Sequence, residues 1–225
     1  MNSKYALAFL LTFFGLNCYS QNYFEGIVLY EIEYEPIANN ISEKSLVEEM
    51  GDSLIAYIQE HRYLMIFNTK SDLGVNKIFV SLEEGYAYID YEQSDTIYKY
   101  KINKKSGALL KYEHTPNDKK KILDNICESI TINYQPSDTD NSYEVRRAKY
   151  YFDPRYKLNA KAYANHNENF WNLFVNKSNS ISVRNEVEYY PIYRSVQQAV
   201  KVIEKILPDQ IFLIDTNKYI KEIEW

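Results

Sequence analysis

Alternation with a period of two dominates the chain. From Phe24 to Glu35, Phe24, Val28, Tyr30, Ile32 and Tyr34 share one parity, while Glu25, Glu31, Glu33 and Glu35 share the other. Successive side chains of an extended strand point to opposite faces, so this stretch predicts a strand with one face in a core and one in water. The expectation is that Val28, Tyr30 and Ile32 point inward and Glu31 and Glu33 outward. The same pattern places Ile78, Val80 and Leu82 together in KIFVSL, and Tyr98, Tyr100 and Ile102 opposite Lys99 and Lys101 in TIYKYKI. It recurs with Ile130, Ile132 and Tyr134 in ESITINY, and with Ile181, Val183, Val187 and Tyr189 in SISVRNEVEY.

SLIAYI and YLMIF, from Ser53 to Ile58 and Tyr63 to Phe67, are apolar on both parities and predict a hairpin covered on both faces. Turn residues gather in LEEGY, NKKSGA and QPSDTDNSY. Helix is scarce. Ile41–Gly51 offers Ser42 as an N-cap and Gly51 as a stop, and NAKAYANHNENFWNLFVNK holds one or two helical turns. SVQQAVKVIEKIL fits a helical stripe or a strand. Hairpin-scale gaps and the absence of a linker predict one antiparallel sheet of about eight to ten strands, with Phe24–Tyr34 starting the meander. One domain over residues 21–225 follows.

The composition supports this reading: 23 tyrosines, and six residues each of glycine and proline. The amino terminus differs. Lys4 precedes the apolar run YALAFLLTFFGL, too short to span a bilayer, and Cys18-Tyr19-Ser20 supplies small side chains where a signal peptidase reads. Residues 1–20 are therefore read as a signal peptide cleaved after Ser20, with acylation of Cys18 in GLNC as the rival. The expected destination is the envelope or beyond: periplasm, outer-membrane-associated or secreted, and peripheral to a membrane at most. Cleavage leaves 25 basic against 31 acidic residues, a net charge of −6. Nucleic-acid binders need a basic footprint, so that class is set aside. Cleavage also leaves Cys127 as the one cysteine, read as a buried, slow-reacting apolar side chain.

Chemistry is sparse. His61, His114 and His166 stand in separate turn-like contexts without metal spacing, and no nucleophile elbow or glycine-rich phosphate loop occurs. His166-Asn167-Glu168 beside Trp171 is the nearest polar cluster and reads as an exposed loop. No catalytic residue, cofactor or metal ligand is assigned. The tyrosines on two adjacent predicted strands pack across them or form an amphipathic wall. Tyr86, Tyr88, Tyr98, Tyr100 and Trp171 are the candidate ligand-binding residues.

Four ordered stretches resemble the GLPGLI-type group of exported Bacteroidetes proteins and its relatives. They are Phe24-x-Gly26 with the first strand, KKKILDNICESITINY, YYFDPRYKLN, and AVKVIEKILPDQIFLIDTNKYIKEI. The Gly-Leu-Pro-Gly stretch itself is absent, with FWNLFVNKSNSISVRNEVEY in its place. The resemblance implies a strand for Gln198–Glu204. It also implies the LolA-like, lipoprotein-carrier-like architecture: an unclosed half-barrel whose concave face is covered by short helices or loops. Such a face suits an apolar ligand. The expected function is an exported non-catalytic binder of a lipid, a lipidated protein or an envelope partner. A structural or adhesive surface protein is the first alternative and an enzyme of unknown type the second.

Overall fold

The computed structural model describes residues 23–137 and 143–224. The expected signal peptide lies outside them. Twelve strands form one sheet: β1 (Gly26–Pro36), β2 (Ser53–Ile58), β3 (Arg62–Phe67), β4 (Asn76–Ser81), β5 (Tyr86–Tyr91), β6 (Thr96–Lys101), β7 (Gly107–Ile122), β8 (Asn125–Pro136), β9 (Val145–Lys157), β10 (Ser180–Tyr190), β11 (Tyr193–Glu204) and β12 (Tyr219–Glu222). Their order is β12-β6-β5-β4-β3-β2-β1-β11-β10-β9-β8-β7. Among the described residues the fold is mainly β, with two short α-helices, α1 (Glu43–Met50) and α2 (Trp171–Ser178).

The sheet must curl. β6 and β7 are ten places apart in the order, yet only Ile102–Ser106 joins them. Ten strand spacings in a flat sheet cover about 48 Å. Six Cα–Cα steps reach about 20 Å at most. The ends of β6 and β7 therefore approach each other, and the sheet rolls into an unclosed barrel. The seam is bridged by the backbone N–H groups of Asn167 and Glu168, which donate to the Ile102 carbonyl at 2.9 and 3.1 Å. Asn169 donates its backbone N–H to Ser106 Oγ at 2.7 Å and accepts from the Tyr134 hydroxyl at 2.6 Å.

Strand one behaves as its alternation predicts. Val28, Tyr30, Ile32 and Tyr34 are buried, while Glu31, Glu33 and Glu35 are exposed. It starts the β1–β6 meander but lies inside the sheet, because β11 pairs along its other side. Gly26 opposes Glu204 there; a Cβ on Gly26 would stand 2.1 Å from the Ile203 carbonyl oxygen, so a side chain has no room. Gln198–Glu204 is strand, as the resemblance implied.

The expectation of about eight to ten strands was low. The edges account for part of this. β7 departs from alternation, being exposed along most of both faces, with shifts in its pairing to β8. β12 runs parallel to β6, so the sheet is not wholly antiparallel. The β2–β3 hairpin is covered twice. Leu54, Ala56 and Ile58 face the main core, while Tyr57, Leu64 and Ile66 pack outside with Phe79, Leu207 and Phe212.

Ser42 caps α1 as expected: its Oγ accepts from Ser45 N at 3.0 Å and its N–H donates to Ser45 Oγ at 3.1 Å. Gly51, at φ 82°, ends the helix where a side chain would be strained. Residues 158–179, between β9 and β10, enter the curl. α2 lays Phe174 against Tyr150 and Phe152, with ring centroids 5.3 and 6.4 Å apart. Trp171 stands 5.2 Å from Tyr150. Such aromatic pairs contribute about 0.5–1.5 kcal/mol each beyond their buried area.

Val28 is fully buried and Glu33 exposed on the same strand. Val28→Asp buries a charge without a partner and is expected to lower stability by about 3–5 kcal/mol or to prevent folding. Glu33→Lys is expected to stay within about 0.5 kcal/mol of wild type. Urea midpoints for the two variants check this; equal losses would contradict the assigned faces.

Candidate functional site

Residues aligned across neighbouring strands on the inner face make the site. Tyr193 on β11 pairs with Tyr189 on β10, Tyr189 with Arg146 on β9, and Arg146 with Tyr134 on β8. This row lies at one end of the curl. Two residues further along lie Ser195, Val187, Ala148 and Ile132; the next row, Gln197, Asn185, Tyr150 and Ile130, carries two amides, and past it the wall becomes largely apolar.

The interior is not filled. A cavity of about 300 Å³ adjoins a second of about 110 Å³, and both are lined by Tyr63, Met65, Trp171, Asn185 and Gln197. The larger reaches Arg146, Tyr150, Tyr189 and Tyr193. The smaller reaches Leu54, Ala56, Ile58, Leu158, Val175 and Ile181 and has no charged side chain in its lining. Asn185 Nδ2 donates to Gln197 Oε1 at 2.6 Å between the two regions. An apolar cavity with a few placed polar groups is the usual form of a small-molecule site.

Arg146 is its main chemical feature. The residue is 6% exposed, and its Nη1 donates to the Tyr150 hydroxyl at 2.7 Å. The guanidinium carbon lies 5.7, 5.9 and 5.4 Å from the ring centroids of Tyr134, Tyr150 and Tyr189. Such contacts favour a desolvated cation. Nε has no hydrogen-bond partner, and among the described residues no carboxylate forms an ion pair with Arg146. Arginine stays protonated throughout the accessible pH range. Burial lifts the phenols of Tyr150, Tyr134 and Tyr193 above their usual range, so they remain neutral around this cation.

Glu168 is the other charged residue lining the larger cavity. It accepts from the Tyr100 hydroxyl at 3.1 Å and lies 3.7 Å from His166 Nε2. Here the expectation of an exposed polar loop fails. His166 is 1% exposed, with its ring centroid 6.0 and 6.1 Å from those of Tyr63 and Tyr163. The segment after β9 folds back into the curl, which no alternation in that stretch announces.

The five candidate residues divide between faces. Tyr100 and Trp171 line the larger cavity together, and Tyr98 packs against the same core. Tyr86 and Tyr88 lie outside, where Lys99 Nζ stands 3.8 and 5.5 Å from their ring centroids. The pairing of β5 with β6 sets this: Tyr88 opposes Lys99, whereas Ala87 opposes Tyr100 and Ile89 opposes Tyr98. Arg146 was missed. The parity of Ala148, Tyr150 and Phe152 extends back to it, and that was the signal available.

A larger groove of about 600 Å³ lies on the outer face among Glu33, Arg147, Lys149, Glu186 and Arg194. Two of its cations share one carboxylate: Arg194 and Arg147 hydrogen-bond to Glu188 and hold that carboxyl below the usual range. Among the described residues no three His, Cys, Asp or Glu side chains are grouped to hold a metal.

No family model and no curated protein matches the chain. Among solved structures, the lipoprotein LppX of Mycobacterium tuberculosis aligns at TM-score 0.39 with 10% identity, over 81% of this chain and 89% of that one. A LolA superfamily protein from Nitrosomonas europaea aligns at 0.38 with 10% identity, over 85% and 91%. A putative outer membrane lipoprotein-sorting protein domain from Vibrio parahaemolyticus aligns at 0.34 with 10% identity, over 83% and 89%. At these TM-scores the likenesses carry no argument; the unclosed curled sheet stands on the strand pairing described above.

Cys127 is fully buried, and burial pushes its thiol up to about 11. A thiol reagent at pH 8 is expected to label native protein at least about a hundredfold more slowly than protein in denaturant. Comparable rates would contradict the burial.

Proposed function

We propose that this chain is an exported, non-catalytic carrier that holds an apolar ligand inside its curled sheet. The adjoining cavities of about 300 and 110 Å³ carry this reading, because they lie on the inner face and end in an apolar wall. The signal-like amino terminus supports export, with the envelope as the place of work. The absence of any recognised catalytic arrangement in the sequence supports a binding role. A lipid, or the acyl chain of a lipidated protein, fits a cavity with this lining.

The adhesive reading has its own support. Ile206 is 87% exposed and Leu213 75% exposed, on the segment that crosses the outer face. It would place function outside the curl and leave the interior empty. Native mass spectrometry of protein purified from its own envelope separates the two. A carrier is expected to retain a lipid-sized adduct that organic extraction removes. Protein that is reproducibly free of adduct, and does not take up palmitate or hexadecanol after extraction, would contradict the carrier reading.

A further inference from the structure

Buried charges are ordinarily paired, because desolvation is costly and an unsatisfied donor keeps that cost. Arg146 departs from this. It is nine-tenths buried, lines the larger cavity and leaves Nε without a partner. Its neighbours along the row are tyrosines rather than carboxylates. Glu168 lines the same cavity but accepts from Tyr100 and forms no ion pair with Arg146. The arrangement leaves a fixed cation, with phenols around it, at one end of an otherwise largely apolar interior. Guanidinium N–H groups form their strongest hydrogen bonds with oxyanions.

The apolar end fixes the rest of the ligand. On β1, Tyr34 lies beside the Arg146 row, and Val28 faces Ala56 in the smaller cavity. The six residue steps from Val28 to Tyr34 span about 20 Å. A membrane acyl chain occupies half of a hydrocarbon core, about 15 Å. The two narrow cavities suit one such chain.

We propose that the interior takes a single-chain amphiphile with a carboxylate head. Arg146 holds the head together with the hydroxyls of Tyr150 and Tyr189, and the chain runs past Trp171 toward Ile58 and Ile181. This rests on the carrier reading and adds to it the head group and its polarity. A free fatty acid has this chemistry; a monoacyl phosphate shares the oxyanion and is separated from it by experiment.

The test uses extracted full-length mature protein, titrated by calorimetry with palmitate, hexadecanol, a monoacyl phosphate of the same chain length and acetate. Wild type is expected to bind palmitate roughly ten- to a hundredfold more tightly than hexadecanol, the range of a charge-assisted hydrogen bond. Acetate, which lacks the chain, is expected not to bind measurably. Arg146→Leu is expected to keep hexadecanol affinity and lose the preference. Arg146→Lys, which retains charge without the fork, is expected to keep part of it. The empty Arg146→Leu protein is expected to melt no lower than wild type, since exchanging a buried charged side chain for a hydrophobic one of similar size is often neutral or stabilising.

Equal binding of palmitate and hexadecanol by wild type would overturn the head-group assignment while leaving the carrier reading intact. Failure of both to bind would overturn the two together. A monoacyl phosphate binding more than tenfold more tightly than palmitate would overturn the carboxylate. A carboxylate preference that survives in Arg146→Leu, with or without a lower melting temperature, would remove Arg146 from the site.

Discussion

Ile102–Ser106 ties together strands that stand ten places apart in one sheet. Those few residues cannot reach across a flat sheet, so curvature is a condition of connectivity. From it follows an inner face with too much apolar surface to leave bare. Residues 158–179 answer part of that need by bringing Phe174 and Trp171 against Tyr150. They do not fill the curl, and the remaining space is the cavity. The same segment bridges the seam through Asn167, Glu168 and Asn169, so bridging of the open seam and shaping of the site are one event.

Polarity inside the curl is graded along the strands. The row Tyr193, Tyr189, Arg146 and Tyr134 gives one end hydroxyls and a cation, and Ile58, Val175 and Ile181 give the other end hydrocarbon. The outer face follows a different logic. Arg147 and Arg194 meet Glu188 there, in pairs that solvent screens and that contribute little individually. Arg146 and Arg147 are adjacent in sequence yet do different work, because a strand sends them to opposite faces. A buried guanidinium with no carboxylate partner among the described residues costs stability, a trade common at binding sites.

Much of the architecture is legible in the residues. Alternation from Val28 to Tyr34 fixes the face of β1, and Ser42 with Gly51 fixes α1, because both signals are local. Strand type in Gln198–Glu204 needed the resemblance, since Val196, Val200, Ile203 and Leu207 fit a helical stripe while Val200 and Val202 fit a strand. The site was less legible. Parity within β5 and β6 was clear, but which tyrosines share a face depends on how the strands pair, and that set Tyr86 and Tyr88 outside. His166 reads as a loop residue because its neighbours are polar; its burial comes from residues 158–179 folding back, a non-local event. Arg146 could be placed inward by parity, but nothing in the sequence shows that its neighbours on β8 and β10 are tyrosines.

Contacts between the protein and bound ¹³C-labelled palmitate, read by intermolecular nuclear Overhauser effects, test the central claim most directly. The curled sheet with a polar and an apolar end predicts one orientation: the protons next to the carboxylate near the rings of Tyr150 and Tyr189, and the terminal methyl near Ile58 and Ile181. The reverse orientation, or contacts confined to outer-face residues such as Tyr88 and Leu213, would contradict it.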